Sequence, residues 1–386
     1  MRRQLCDVRA NWQSIVEEDG LVWHSINDQT YWLEGAYYAF HPHEIDAIER
    51  ATAEVYQLFI AAGDKLVSGE GDWLDRFHIP RIAHHAIREA WEKEPPSLNY
   101  GRFDFGFGED GVPRLFEFNC DTPTSLLEAS VIQWRWKEGL FPERDQFNSL
   151  HEKLVARWAA MLGPLDRGKP LHFTHAAEVS GEDAITTAYL RDTAEAAGFS
   201  TKAVFINEIG LDAEGRFVDQ DDLLISQIYK LYPWEWMLDD NYAAAVIDQL
   251  DATLWLEPIW KMLWSNKAIL AVLYEMTPDC PYLLPASLER PLSNSYVKKP
   301  LLSREGANVS IIQDGKLLTD TGGGYGAEGY VYQQLFDLPS LDGAYPIIGS
   351  WIVDGDPAGI GMREDGLITG NGARFLPHII DEEPCF

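Results

Sequence analysis

Arg102–Ser125 reads RFDFGFGEDGVPRLFEFNCDTPTS, two alternating polar–aromatic runs on either side of Asp110-Gly111. An Asp-Gly pair between alternating runs is the strongest short signal for a two-residue hairpin turn. With those two residues as the turn, Asp104 faces Glu117 and Arg102 faces Asn119. Side chains alternate along a strand, so these four polar groups share one face. Phe103, Phe105, Phe116 and Phe118 take the other face, toward a core. Opposed carboxylates repel unless positive charge separates them. Arg102 supplies part of that charge. A magnesium ion, which takes carboxylate and amide oxygens, is a candidate for the rest. The plainer alternative is a solvated hairpin face with a salt bridge.

Outward from the hairpin, the 386-residue chain is long enough for two or three domains. Hydrophobic content of 46% and charged content of 24% are those of a globular protein. No run of about 18 apolar residues exists, which argues against a spanning helix. The first residues, MRRQLCDVRANW, lack the apolar core of a signal peptide. Cys6, Cys120, Cys280 and Cys385 are isolated, which points to reduced thiols and a cytoplasmic setting. A net charge of −30 argues against nucleic acid, whose phosphates need cationic contacts. The same field attracts cationic ligands such as a polyamine, although acidic surfaces mostly serve solubility.

Three stretches differ in rhythm. Residues 1–165 combine helices with the hairpin, and 43–66 carries Ile45, Ile48, Val55, Leu58 and Phe59 at helical spacing. Residues 124–139 read as a second helix, capped by Thr122 or Thr124, with Leu126, Leu127, Ala129, Ile132 and Trp136 as its buried stripe. Its N-terminus would favour an anion beside the hairpin's polar face. Residues 166–265 alternate strands (171–175, 202–206, 224–231, 252–256) with helices (183–198, 242–250), the pattern of a small parallel sheet. Residues 266–386 are rich in strands and turns, with Asp314-Gly315 and Asp354-Gly355 as further hairpin turns.

Several motifs carry little. GxGxxG occurs at Gly106/Gly108/Gly111 and at Gly324/Gly326/Gly329, neither in a strand-to-helix setting, so a dinucleotide cofactor is not expected. The histidines lack metal-ligand spacing, and no serine sits in a GxSxG elbow. Cys120 points by parity toward the phenylalanine face, as an inert buried thiol. Lys299-Pro300 is more informative. A lysine ending a strand, followed by the loop Ser303–Asn308 with Gly306, can lay ammonium and backbone amides over nucleotide phosphates. Lys298 and Lys299 point to opposite faces, so one of them enters such a site. A surface hairpin with incidental lysines fits the spacing equally well.

Seven segments, in order, resemble the glutathionylspermidine synthase family: RFDF (102–105), FEFNCDTPTSLLEA (116–129), LYPWEW (231–236), LEPIWKMLWSNKAIL (256–270), KKPLLSREGANVSI (298–311), YVYQQLFDLP (330–339) and GIGMRED (359–365). The likeness is to the ATP-dependent synthetase domain, and within it to bacterial stand-alone members described as acid–amine ligases. The amidase domain of bifunctional members has no counterpart here, so no amidase activity is expected.

The resemblance implies a mixed α+β, α/β chain with a permuted ATP-grasp fold. Residues 1–165 and 266–386 would build the nucleotide cleft and its lid, and 166–265 a flanking α/β domain. It implies Asp104, Glu117 and Asn119 as magnesium ligands, and Arg102 on the transferred phosphate. Lys267, Lys299 and Gly306 would meet the nucleotide phosphates, and Gln333 and Gln334 would form the adenine hinge. Thr122, Thr124 and Ser125 fall near the acid substrate's carboxylate, Arg363 near the reacting carbonyl, and Glu182 and Asp183 near the amine. The implied cofactors are ATP and Mg2+; the implied partners are a carboxylic acid (a peptide such as glutathione) and an amine (a polyamine). Thr124-Ser125 replaces the family's Ser-Cys, which leaves both substrates open. A nucleotide-binding module acting through a partner, or a phosphotransferase, are the competing readings.

Overall fold

A computed structural model describes residues 1–26, 29–69, 71–177, 181–370 and 372–381. The chain is mixed α/β, with three principal sheets.

The first sheet holds the hairpin. Its strands run in the order Arg374–Leu376, Asp356–Asp365, Tyr345–Val353, Gly101–Phe107 and Pro113–Asn119, all antiparallel. Segments far apart in sequence thus share one sheet: Asp104 pairs with Gly349, and Arg102 with Trp351. One face buries Phe103, Phe105, Phe118, Ile348, Ile352, Ile360 and Met362. The helix Pro42–Val67 covers that face, with Ile45, Ile48, Val55 and Phe59 buried and Leu58 half-buried. Phe103 and Phe118 stack at 3.8 Å, and Phe59 meets Phe118 edge-on at 5.0 Å. Each fully buried ring of this kind contributes about 1.5–3 kcal/mol over an exposed one.

The register at the base of the hairpin is the expected one: Arg102 pairs with Asn119 and Asp104 with Glu117. The turn is not. The strands end at Phe107 and Pro113, and a five-residue loop joins them, closed by a Gly111 N–H to Gly108 carbonyl bond of 3.1 Å. Only Gly111 has positive φ there. The Asp110 carboxylate accepts the Val112 N–H (3.1 Å) and an Arg114 N–H (2.8 Å), a local alternative to the tight turn. The longer loop shifts pairing by one residue, and a bulge beyond Asp104 restores it. As a result Leu115 takes the core position expected of Phe116, and Phe116 turns out toward Phe336. The other two Asp-Gly pairs do form two-residue turns, with positive φ at Asp314, Gly315, Asp354 and Gly355.

The second sheet is also antiparallel, in the order Ala286–Ser287, Tyr330–Gln334, Tyr296–Pro300, Ser310–Gln313, Lys316–Asp320. The third is parallel: Leu254–Leu256, Gln227–Leu231, Leu171–His175, Thr201–Phe205. The helix Glu182–Ala196 links its last two strands. The stretch expected as one helix from 124 departs from a regular coil. It begins after Ser125, which has φ +68°, and Glu128–Ile132 is π-helical before Gln133–Leu140 continues. Neither Thr122 nor Thr124 caps it, although the whole expected stripe is buried. Among the described residues no helix is long and apolar enough to cross a membrane. Cys385 lies outside the described residues.

Candidate active site

Both antiparallel sheets and the mouth of the parallel sheet line a cavity of about 510 Å³. Every residue singled out from the sequence lines it: Arg102, Asp104, Glu117, Asn119, Thr122, Thr124, Ser125, Glu182, Asp183, Lys267, Lys299, Gly306, Gln333, Gln334 and Arg363.

The polar face of the hairpin forms the floor. Arg102 grips Asp104 with two bonds, 2.7 and 3.2 Å, and donates to the Thr124 carbonyl at 2.7 Å. Arg363 reaches Asp104 from the neighbouring region of the same sheet at 2.6 Å. The Asn119 amide N–H groups span the two carboxylates, 3.2 Å from Asp104 and 3.3 Å from Glu117.

The lysines come from adjoining segments, since the Lys267 N–H donates to the carbonyl of Leu301, two residues past Lys299, at 2.9 Å. Lys267 stands 3.1 Å from Glu117 and donates to the Ser303 carbonyl at 2.6 Å. Lys299 donates to Gln333 Oε1 (2.7 Å) and to the Phe116 carbonyl (3.1 Å). Gln333 in turn donates to the Leu115 carbonyl at 2.8 Å, which joins the second sheet to the hairpin. Lys298 points away, over the Tyr330 ring at 3.7 Å. Burial pushes the Glu117 carboxyl upward, but the Lys267 and Lys299 ammonium groups outweigh it and hold Glu117 ionised, well below the usual range. Burial draws Lys299 down to about 8, opposed by the Glu117 charge.

The remaining wall is clamped by residues that local patterns did not reveal. Asp121 is pinned by buried Lys230 (2.6 Å) and by the Trp234 N–H (3.0 Å). Arg304 donates to Thr122 Oγ1 (2.8 Å), stands 3.6 Å from Glu235, and lies over the Trp236 ring at 5.3 Å. Gly306 has φ +67°, and a Cβ there would meet the Thr369 carbonyl at 2.6 Å, so only glycine fits. Ser125 donates to Glu182 at 3.2 Å. Cys120 is fully buried and burial raises its thiol, as expected of an inert group.

A family model described as "Glutathionylspermidine synthase preATP-grasp" matches residues 3–381. The chain belongs to this family. A Haemophilus influenzae member named "Putative acid--amine ligase" is 38% identical, with 98% of this chain and 96% of that protein covered. A trypanothione synthetase from Crithidia fasciculata is 30% identical over 96% of this chain, and the chain spans 61% of that longer protein. A solved glutathione synthetase-like effector from Globodera pallida, in its apo form, superposes with a TM-score of 0.58. It covers 98% of this chain and all of that one at 11% identity, a likeness of fold alone.

Tyr31, Asp121, Glu235, Trp236 and Arg304 also line the cavity without having been named from the sequence, and Phe116 lines it although it was expected in the core. Asp121, Glu235 and Arg304 lie inside the segments that carried the resemblance. Tyr31 offered no signal, since its neighbours QTYWL form no recognisable chemical pattern.

Proposed function

We propose that the chain is an ATP-dependent ligase that joins a carboxylic acid to an amine through an acyl phosphate. One observation carries this reading: two arginines and two carboxylates from the first sheet, Lys299 from the second and Lys267 from the turn between the helices Lys261–Ser265 and Ile269–Met276 converge in a single cavity. The family relatives, named as acid–amine ligase and trypanothione synthetase, support it. We further propose a permuted ATP-grasp arrangement, with 1–165 and 266–386 around the nucleotide and 166–265 as the flanking unit.

In this reading the adenine lies among Leu284, Val297 and Ile311, with Gln333 and Gln334 at its edge. Lys267 and Lys299 hold the phosphates, with Gly306 in the loop that closes over them. Asp104, Glu117 and Asn119 hold magnesium. The donor set fits a magnesium ion that arrives with nucleotide. Among the described residues there is no cluster of three or more His, Cys, Asp or Glu suited to a resident metal. Mg2+ is commonly held by one or two carboxylates plus substrate phosphates. The Asn119 amide donors now span the two carboxylates; a half-turn of that amide would present its oxygen instead. Bound magnesium would neutralise charge that develops on the transferred phosphoryl group.

The acid's carboxylate, near Thr122, Thr124 and Ser125, attacks the γ-phosphorus while Arg102 holds the transferred group in line. ADP leaves. The amine, near Glu182 and Asp183, then attacks the carbonyl; Arg363 stabilises the oxyanion and phosphate departs. The 303–329 segment acts as a lid that keeps water from the acyl phosphate.

The test is ADP release from Mg–ATP with a panel of acids, first alone and then with amines, with product mass read by spectrometry. Amide product upholds the reading. ADP release that yields only phosphorylated acid makes the protein a phosphotransferase, and nucleotide binding without any ADP makes it a binding module.

A further inference from the structure

The ion pair at the mouth of the parallel sheet has no part yet in the chemistry. Asp121 and Lys230 are 1% and 0% exposed, and their charges meet at 2.6 Å. Lys230 also donates to the Tyr232 carbonyl at 3.1 Å and stands 4.7 Å from the Trp234 ring. The other Asp121 oxygen accepts the Trp234 N–H at 3.0 Å. One carboxylate oxygen is thus committed to the strand Gln227–Leu231, and the other to the short helix Trp234–Met237 that follows it.

A buried ion pair is a poor source of stability, because apolar residues of similar volume often serve as well or better. What this pair holds in place is more telling. On its hairpin side runs the loop 121–125. Thr122 Oγ1 accepts an Arg304 N–H at 2.8 Å, the Thr124 carbonyl accepts Arg102 at 2.7 Å, and Ser125 donates to Glu182 at 3.2 Å. On its other side, the helix pinned at Trp234 carries Glu235 and Trp236, which flank Arg304 at 3.6 and 5.3 Å. The loop, the helix and Arg304 therefore hang on one carboxylate. Lys267 and Lys299 do not: they hold Glu117, the Ser303 carbonyl, Gln333 and the Phe116 carbonyl.

We propose that Asp121 and Lys230 are positioning residues that set the loop 121–125 against Arg102 and Arg304, so that the 166–265 unit aims the acid's carboxylate at the γ-phosphorus. The inference rests on the ligase reading. Both Asp121 oxygens are already taken and Lys230 is fully buried, so the pair acts through the loop and touches no reacting atom. Attack needs oxygen and phosphorus aligned at about 3–3.5 Å, and a displacement of about 1 Å can cost on the order of 10²-fold in rate.

Two variants separate positioning from bare stability. D121N keeps an oxygen for the Trp234 N–H and removes the charge. Burial already lowers the Lys230 pKa, so the lysine can then shed its proton and the fold survives. K230M/D121L replaces the whole pair with apolar side chains, which should leave the urea midpoint close to that of the wild type. With ATP, Mg2+, glutathione and spermidine as probes, both variants should raise the glutathione KM about tenfold or more. The ATP Kd, read by calorimetry, should stay within about twofold, because the phosphate lysines have separate partners. A double variant that regains the wild-type KM together with stability makes the pair merely structural and overturns the proposal. An ATP Kd that rises in step with the KM does the same. If the double variant does not fold, D121N decides alone, and an unchanged glutathione KM is the refuting result.

Hydrogen exchange needs no turnover. The N–H groups of Trp236, Met237 and Leu238 bond the Pro233 and Trp234 carbonyls, which neither variant alters. Their exchange should quicken about tenfold or more once the helix is unpinned, and unchanged exchange refutes the clamp. Absence of ADP from the wild type with every acid refutes the ligase reading instead, and the exchange rates then still judge the clamp.

Discussion

Lys299 is where pH should act on nucleotide binding most directly. Its ammonium has been drawn down to about 8 by burial. A phosphate chain binds the charged form, so affinity is full below pH 8. Above that value it should weaken by up to about tenfold per pH unit, until the pKa of the bound state is reached. Calorimetric titration with ATP at pH 7 and pH 9 reads this directly, and K299R, which keeps its charge, should flatten the dependence. Arg363 should behave differently. R363A removes a donor aimed at developing charge, so kcat should fall by about 10²–10³-fold while the ATP Kd shifts far less. An unchanged rate of amide formation would remove Arg363 from that role. At this scale most of the cleft was readable, because hairpin parity and ordered motifs name residues one at a time. The Arg304–Glu235–Trp236 clamp was not. Arg304 lies about 70 residues from Glu235 and Trp236, and they meet only when its loop closes on the short helix Trp234–Met237.

Among the elements, short-range turn chemistry was legible where the Asp carboxylate finds its partner outside the turn, as Asp354 does in Arg157 at 2.9 Å. Asp314-Gly315 and Asp354-Gly355 behave as their sequence suggests. At Asp110 the carboxylate captures a nearby N–H and an arginine, and the loop opens to five residues. The compensating bulge keeps the carboxylates opposed, so their pairing was foreseen correctly from a turn that does not form. The π-helical turn was likewise illegible, since the sequence LLEASVI carries an ordinary helical stripe. The strand His378–Ile380 supports a stability prediction. His378 accepts the Phe147 N–H at 3.1 Å and bonds Gln133 Oε1 at 2.8 Å, and burial lowers it to about 3. Its folded pKa lies below the unfolded value, so the unfolded chain binds the extra proton between pH 6.5 and 3. His378 should therefore cost about 1.4 kcal/mol of stability per pH unit as pH falls through that window. Urea unfolding at pH 7 and pH 5 should show that loss in the wild type and a smaller one in H378Q.

For the whole molecule, the net charge of −30 surrounds a cleft that gathers Arg102, Lys267, Lys299, Arg304 and Arg363. The two substrates should feel opposite long-range fields. A cationic amine is drawn in and an anionic nucleotide is slowed, and salt screens both beyond about 10 Å at 0.1 M. Raising ionic strength from low to 0.3 M should therefore slow association of spermidine and hasten that of ATP, as read by stopped-flow binding. Equal responses would show that only the local cleft charge matters.

The pairing of Gly101–Phe107 with Tyr345–Val353 has a consequence for synthesis of the protein. The carboxylate ribbon leaves the ribosome with one long edge unpaired and must wait for about 240 further residues, roughly 12–50 s at common elongation rates, before its neighbour strand exists. During that interval a row of unsatisfied amides flanks Phe103 and Phe105, a template for aggregation that chaperones would have to shield. The floor of the cavity is thus among the last surfaces to be completed, although its first half is translated in the opening third of the message.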